Sequence, residues 1–178
     1  MTTIVRETRE TKIRVEVGAP TSTISTTIPF LDHMLTTLAR YSGVGLSVEA
    51  SGDLAHHISE DVAIAVGAAF SGYAAKNLAR FGDRTVPMDE ALVHCALDFG
   101  GRPFYEGNLP SARYEHWMRS FADNARATIH IRVLRGRDRH HIVEAAFKAL
   151  GFALRDALAR GSESDVFSTK GAVALERQ

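Results

Sequence analysis

The chain has 178 residues, of which 45% are apolar and 24% charged, a composition typical of one globular domain or of two small fused halves. Lysine and arginine total 21, the same number as aspartate and glutamate, so the zero net charge gives no support to nucleic-acid or anionic-membrane binding. A single cysteine, Cys95, excludes an internal disulfide and a zinc ribbon. Because the sequence shows neither a bilayer-length apolar run nor a signal-peptide block, we expect a cytoplasmic protein.

The first half of the chain predicts the element order β-β-α-β-α. Alternating apolar and polar residues indicate the first strand, and a run of β-branched residues indicates the second. Pro29 is typical of the first turn of a helix, and an alanine-rich segment after the third strand predicts a long second helix. The predicted elements are strands at 3–17, 22–28 and 46–51 and helices at 29–40 and 57–78.

The second half predicts the same order again. Its strands alternate in the same way, and its two helical segments are again one short and one long. We expect the last eighteen residues to be irregular. The predicted elements are strands at 91–99, 102–108 and 127–134, helices at 113–125 and 140–160, and an irregular tail at 161–178.

Two copies of one histidine pattern support an internal duplication. HHISE occupies residues 56–60 and HHIVE occupies residues 140–144, each at the start of a predicted long helix. A lone histidine on each predicted short helix precedes these pairs at nearly the same offset, so we interpret the chain as a repeat of one unit. The lone histidines are His33 and His116, which lie 23 and 24 residues ahead of His56 and His140.

The motifs have the spacing of metal ligands. Residues four apart on a helix lie about 40° apart in projection, so His56 and Glu60 can bind one ion together, as can His140 and Glu144. The second histidine of each pair diverges by about 100° and therefore faces a different ion. Imidazole nitrogen and carboxylate oxygen suit manganese, iron, cobalt or zinc, and the spacing does not choose among them. The lack of a nearby thiolate argues against a structural cysteine–zinc site.

A single copy of either motif would be interpreted differently. A lone His-His pair is usually a solvated helix start, and a lone His-x-x-x-Glu is usually an exposed pair worth a few tenths of a kcal/mol. Two copies with a lone histidine at similar offsets favour metal binding. His94 and His130 lie outside the pattern, and we interpret them as ordinary strand residues.

Longer motifs extend along most of the chain. They are RETRETKI near the start, PFLDHML, ASGD before HHISED, RFGD, PMDEAL, LDFGGRP, HHIVEAAFKAL and the terminal STKG. With FLDHM ahead of paired HHxxE motifs, this set resembles the imidazoleglycerol-phosphate dehydratase family. The resemblance implies an α/β (α+β) fold, a two-layer sandwich of two similar β-β-α-β-α halves, about 1–86 and 87–178, that form a single domain over 1–178.

The resemblance also implies a set of site residues and partners. Two divalent metal ions, normally Mn²⁺, hold a phosphorylated imidazole substrate in a homo-oligomer of twenty-four subunits, with active sites at subunit interfaces. The implied metal ligands are His33, His56, His57, Glu60, His116, His140, His141 and Glu144. The implied phosphate-binding residues are Arg80, Arg102, Ser168, Thr169 and Lys170, and the family's N-terminal glutamate matches Glu10.

The implied activity is that of a hydro-lyase of histidine biosynthesis. It converts D-erythro-imidazoleglycerol phosphate to imidazole acetol phosphate and water by way of a di-metal-bound imidazolate, whose electron density expels the adjacent hydroxyl. Glu10 is the candidate acid–base residue, although taken alone it would be a charge on a strand surface. Departures from the family pattern, none of which removes a metal ligand, are Thr37, Tyr41, Ser42 and Phe167.

Two other functions would use the same ligands. A metal-dependent hydrolase would need the ions but no site shaped for imidazole. A metal-storage shell would keep the histidines and have no use for Glu10 or the phosphate-binding residues. Nucleotide binding is disfavoured, because STKG lacks the preceding glycines of a phosphate-binding loop.

Overall fold

The computed structural model describes residues 1–74 and 77–160, which form eight strands and four helices. The first half contains β1 (Thr2–Glu7), β2 (Thr11–Val17), β3 (Ile24–Ser25), α1 (Pro29–Ser42), β4 (Leu46–Gly52) and α2 (Ala55–Tyr73). The second half contains β5 (Phe81–Met88), β6 (Ala91–Phe99), β7 (Phe104–Glu106), α3 (Ala112–Ala125), β8 (Ala127–Arg135) and α4 (Arg139–Ala157).

The described strands form two four-stranded sheets of the same topology. Their orders are β1-β2-β4-β3 and β5-β6-β8-β7. In each sheet the first three strands pair antiparallel, and the short last strand pairs parallel. Every second side chain of β2 and β6 is buried, as expected for sheets with one face on the core. The predicted α/β class and the two similar halves are confirmed.

Each half contains one strand more than the predicted order. The predicted strand over 3–17 is two antiparallel strands, because the Thr8 hydroxyl accepts hydrogen bonds from the backbone N–H groups of Glu10 and Thr11 and turns the chain. β5 was missed because it is an edge strand with Pro87 near its end and mostly exposed side chains. Since β5 pairs with β6, the second sheet begins before the predicted boundary at residue 86.

Several predicted ends were too long. The strand predicted over 22–28 is only the two residues of β3. The helix predicted to reach Leu78 ends at Tyr73, because Ala74 adopts an extended backbone conformation. Leu78 instead forms an isolated antiparallel bridge with Arg160, just beyond the end of α4. The predicted irregular tail lies outside the described residues.

The helices of one half pack on the helices of the other. α2 packs on α3, and α1 packs on α4. A glycine allows each close approach: a Cβ on Gly67 would lie 2.6 Å from the Phe121 carbonyl oxygen, and one on Gly151 would lie 2.8 Å from the Tyr41 Cβ. The buried apolar side chains of both halves therefore form one continuous core, which includes Trp117.

The start of α4 is fixed by a side-chain cap. Asp138 caps α4, since its side chain accepts hydrogen bonds from the backbone N–H groups of His140 and His141 at 2.7 and 3.4 Å. Pro29 occupies the first turn of α1, as predicted. None of the described helices is both long and apolar enough to cross a membrane.

Candidate metal centre

One cluster of potential ligands joins the first two turns of α1 and α4. This Glu144 cluster consists of His33, His140 and Glu144. The Nε2 atoms of His33 and His140 each lie 3.1 Å from Glu144 Oε2. The three ligand atoms lie within 4.8 Å of one another, a spacing that one metal ion could bridge.

A second cluster joins α2 and α3. This Glu60 cluster consists of His56, Glu60 and His116. His56 Nε2 lies 3.7 Å from Glu60 Oε2, and His116 Nε2 lies 3.2 Å from Glu60 Oε1. The two imidazole rings are stacked, with centroids 5.7 Å apart. The cluster has the same composition as the first, with two nitrogen ligands and one carboxylate.

Each cluster takes ligands from both halves of the chain. The helical pair His140 and Glu144 receives its third ligand, His33, from the first half. The helical pair His56 and Glu60 receives His116 from the second half. The arrangement follows from the packing of α1 on α4 and of α2 on α3, which carries each lone histidine across the interface between the halves.

The donor chemistry fits divalent transition metals. Two imidazole nitrogens and one carboxylate oxygen are a usual partial ligand set for manganese, iron or zinc. In the Glu60 cluster, the buried Nε2 of His116 has no hydrogen-bond partner among the described residues, although the Glu60 carboxylate is close. Buried polar atoms normally have partners, so an unpaired nitrogen beside a carboxylate is consistent with a cation between them.

His57 and His141 lie outside the two clusters. Each is held through Nδ1 by a carboxylate: His57 Nδ1 lies 2.9 Å from Asp53 Oδ1, and His141 Nδ1 lies 2.8 Å from Glu90 Oε2. A carboxylate at Nδ1 favours a proton there and leaves Nε2 as the free lone pair. This arrangement is usual for histidines that bind a metal through Nε2, and His141 Nε2 also lies 3.6 Å from Asp89 Oδ2.

These pairings shift the pKa values of the groups involved. The hydrogen bond with Asp53 raises the pKa of His57 and lowers the pKa of Asp53. The hydrogen bond with Glu90 likewise raises the pKa of His141. Hydrogen bonds from His141 and from two backbone N–H groups just before α4 lower the pKa of Glu90 to about 2. Both carboxylates are thus ionised near neutral pH and hold the rings in place.

The Glu144 carboxylate has a further partner. Lys148 Nζ lies 3.0 Å from Glu144 Oε1, on the oxygen that does not contact the histidines. Burial raises the pKa of Glu144, but the hydrogen bonds with Lys148 and His33 outweigh it, so this pKa lies below its ordinary value. Glu144 is therefore a buried carboxylate in its charged form.

Glu10, the candidate acid–base residue, lies close to His57. Glu10 is in the turn between β1 and β2, and its Oε2 lies 3.5 Å from His57 Nδ1. It is exposed, with 57% of its side chain accessible, which leaves it able to contact a substrate.

The candidate phosphate-binding residues are described only in part. Arg80 lies just before β5, and its guanidinium donates to the Asp98 carboxylate at 2.6 and 3.0 Å, which raises the pKa of Arg80. Arg102 is exposed between β6 and β7, and its carbonyl accepts a hydrogen bond from the Thr128 hydroxyl. Ser168, Thr169 and Lys170, together with Phe167, lie outside the described residues.

Three residues of the site were not predicted. Asp53 lies four positions before His57, a spacing that could have indicated the contact. Lys148 lies four positions after Glu144, so the same spacing could have indicated their ion pair. Glu90 comes from the turn between β5 and β6, far from His141 in sequence, so only the fold reveals it.

The fold and the clusters define a class of protein: a duplicated α/β chain with two candidate divalent-metal sites built from histidine and glutamate. The family model for imidazoleglycerol-phosphate dehydratase matches residues 26–154. The chain therefore belongs to the imidazoleglycerol-phosphate dehydratase family, which confirms the resemblance of its motifs. The prediction that it is an enzyme, a carbon–oxygen lyase, is confirmed as well.

Related proteins match almost the whole chain. The imidazoleglycerol-phosphate dehydratase of Archaeoglobus fulgidus is 43% identical over 173 residues, which covers 93% of this chain and 96% of that protein. The enzyme of Pyrobaculum calidifontis is 46% identical over 183 residues, with 93% and 96% covered. The crystal structure of the Pyrococcus furiosus enzyme in complex with (S)-C348 has a TM-score of 0.89 at 40% identity, covering 96% of this chain and 100% of that chain. The Staphylococcus aureus enzyme has a TM-score of 0.80 at 33% identity, covering 90% and 99%.

Proposed function

We propose that the chain removes water from D-erythro-imidazoleglycerol phosphate to give imidazole acetol phosphate in the cytoplasm, as a step of histidine biosynthesis. The observation that carries the proposal is the pair of clusters, each with two histidines and a glutamate at corresponding places of a duplicated fold. Membership of the family supplies the reaction and the substrate. Two similar metal sites suit an imidazole ring, because one ion could bind each of its two nitrogens.

The clusters would hold two divalent cations, most suitably Mn²⁺, whose positive charge stabilises the ring as an imidazolate and so makes the adjacent hydroxyl easier to expel. Each cluster offers three ligands within one chain. His57 and His141, each held through Nδ1 by a carboxylate, would complete the ligand sets of neighbouring copies through Nε2. The active sites would then lie at subunit interfaces of a homo-oligomer, with twenty-four subunits as the family implies.

The chain's own residues would bind the substrate and move its protons. Glu10 would take the proton from the carbon next to the one that loses hydroxide, and its contact with His57 would keep its carboxylate beside the metals. The guanidinium groups of Arg80 and Arg102, with Lys170, would bind the phosphate by charge-assisted hydrogen bonds, assisted by the Ser168 and Thr169 hydroxyls. Asp98 would hold Arg80 in position.

An assay of ketone formation tests the proposal. Purified protein, stripped of metal and then supplied with Mn²⁺, is expected to form the ketone product from imidazoleglycerol phosphate only when the metal is present. A metal-dependent hydrolase would instead release phosphate from the same ester. A storage shell would bind Mn²⁺ and leave the substrate unchanged. Either of these two results would contradict the proposed dehydration.

A further inference from the structure

The two clusters have the same ligands but different surroundings. The Glu144 side chain is only 10% exposed and forms an ion pair with Lys148, which is itself 17% exposed. The Glu60 side chain is 36% exposed, and its ion-pair partners among the described residues are the two cluster histidines. One carboxylate is thus paired with a lysine ammonium, whereas the other has no lysine or arginine partner among the described residues.

One difference between the corresponding helices of the repeat is the residue four positions after the glutamate. Lys148 lies four residues after Glu144 on α4, and Ile64 lies four residues after Glu60 on α2. Both positions are half-buried. Side chains four apart on a helix are neighbours, so a cation is adjacent to the carboxylate in one half and an apolar side chain occupies the same place in the other.

Lys148 is held in place on more than one side. Its Nζ donates to Glu144 Oε1 at 3.0 Å, lies 3.5 Å from the Met88 sulfur and stands 5.8 Å above the Tyr41 ring. The ammonium therefore cannot easily swing away into solvent. Oε2 of the same carboxylate faces His33 and His140, so any metal bound there would share one carboxylate with the lysine.

A shared carboxylate attracts a divalent cation less strongly than an unshared one. The lysine carries a positive charge a few ångströms from the metal position, and the repulsion between like charges at such distances is large where water is partly excluded. Lys148 is not needed to place the carboxylate, because burial and the two histidines already do so. Its main effect on the metal is therefore electrostatic.

We propose that the two metal sites of this chain are unequal, with the Glu60 cluster the tighter one and the Glu144 cluster weakened by Lys148 roughly tenfold or more in its dissociation constant for Mn²⁺. This inference rests on the proposed function, since it takes for granted that both clusters bind a divalent cation. In solution the first ion then occupies the Glu60 cluster, and the ion at the Glu144 cluster exchanges more readily.

Calorimetric titration of the metal-stripped full-length protein with Mn²⁺ measures the two sites separately. His33→Ala leaves the Glu60 cluster intact, and His116→Ala leaves the Glu144 cluster intact. The wild type is expected to show two affinities, and His33→Ala is expected to bind its ion roughly tenfold or more tightly than His116→Ala binds its own. Equal affinities, or tighter binding by His116→Ala, would overturn the inference.

Removing the charge of Lys148 tests its electrostatic effect on the Glu144 cluster. Lys148→Met keeps an unbranched side chain beside Tyr41 and is expected to tighten Mn²⁺ binding in the His116→Ala background and to leave it unchanged in the His33→Ala background. Unchanged or weaker binding in the first background would show that Lys148 only positions the carboxylate, and the inference would be wrong.

The reciprocal variant does not depend on the stability of Lys148→Met. Ile64→Lys in the His33→Ala background is expected to weaken Mn²⁺ binding at the Glu60 cluster, and unchanged affinity would contradict the electrostatic account. A wild-type protein that binds no Mn²⁺ at all would remove the proposed function itself. Two equal Mn²⁺ affinities in the wild type would contradict only the proposed inequality of the two sites and would leave the proposed function standing.

Discussion

Neighbouring histidines have different partners in this protein. His56 points to Glu60, four residues on, whereas the His57 ring contacts Asp53, four residues back. His140 likewise contacts Glu144, four residues on, whereas His141 contacts Glu90 in the turn between β5 and β6. The rotation of about 100° per residue on a helix makes this inevitable, so the sequence alone indicates which histidine of each pair belongs with the glutamate.

His57 and His141 are expected to be essential for the dehydration activity. His57→Ala and His141→Ala should each abolish dehydration, because under the proposal each would remove a nitrogen ligand that no side chain of the same helix replaces. Ketone formation from imidazoleglycerol phosphate measures the effect. His94→Ala is the control, since His94 contacts the Thr85 hydroxyl on the second sheet, and this variant should keep wild-type turnover. Wild-type turnover in His57→Ala or His141→Ala would reject the ligand role.

Glu10 is expected to act in proton transfer. Glu10→Gln should lower kcat by about 10²–10⁴-fold and leave KM little changed, because the amide keeps the shape of the side chain and cannot accept the proton. Glu7→Gln is the matched control: Glu7 is on the adjacent strand and pairs with Lys12 on the exposed surface. An equal, small effect of both variants would show that Glu10 is only a surface charge.

The helices were easier to predict than the strands. All four helices were predicted, from Pro29 and from long segments of helical composition, because a helix carries its signal over many residues. The turn at Thr8 was hidden within one alternating run, since a short turn held by a threonine hydroxyl leaves the hydrophobic pattern nearly intact. The edge strand β5 has mostly exposed side chains and therefore shows no clear alternation.

The packing of the helices depends on two glycines at corresponding places in the repeat. Gly67→Ala and Gly151→Ala should each lower the free energy of unfolding by about 1–3 kcal/mol, because the new Cβ would meet the facing helix at less than van der Waals distance. In an exposed helix the same change would stabilise by about 1 kcal/mol, so the sign itself is diagnostic. Denaturant titration measures it, with Asp123→Ala on the exposed face of α3 as the control.

The single cysteine reports on the integrity of the second sheet. Cys95 is fully buried on β6, and burial raises the pKa of its thiol. The native chain should therefore resist iodoacetamide at pH 8, because the reagent attacks the exposed thiolate. Mass spectrometry should find labelling only after denaturation. Rapid labelling of the native chain would contradict the position of β6 in the core.

Across the whole molecule, neither half completes a cluster alone, because each helical His-Glu pair receives its third ligand from the other half. Sequence spacing identifies the helical pairs, such as His140 with Glu144, and the lone histidines. It does not show that His33 joins the pair of the opposite half, because that depends on the packing of α1 on α4. Contacts such as Glu90 with His141 depend on the fold in the same way.

The proposed assembly rests on the same geometry. His57 and His141 are each held through Nδ1 by a carboxylate and lie outside the clusters, and each cluster has only three ligands from one chain among the described residues. A neighbouring copy would supply the missing nitrogens, so metal binding and oligomerisation should be coupled. This coupling is part of the proposal that active sites lie between subunits.

The most direct test of the account is the anomalous diffraction of crystals of the Mn²⁺-loaded protein. We expect two manganese positions per chain, one at the Glu60 cluster and one at the Glu144 cluster, each also contacted by His57 or His141 of a neighbouring copy. Manganese-loaded crystals without an anomalous peak at either cluster would contradict the account.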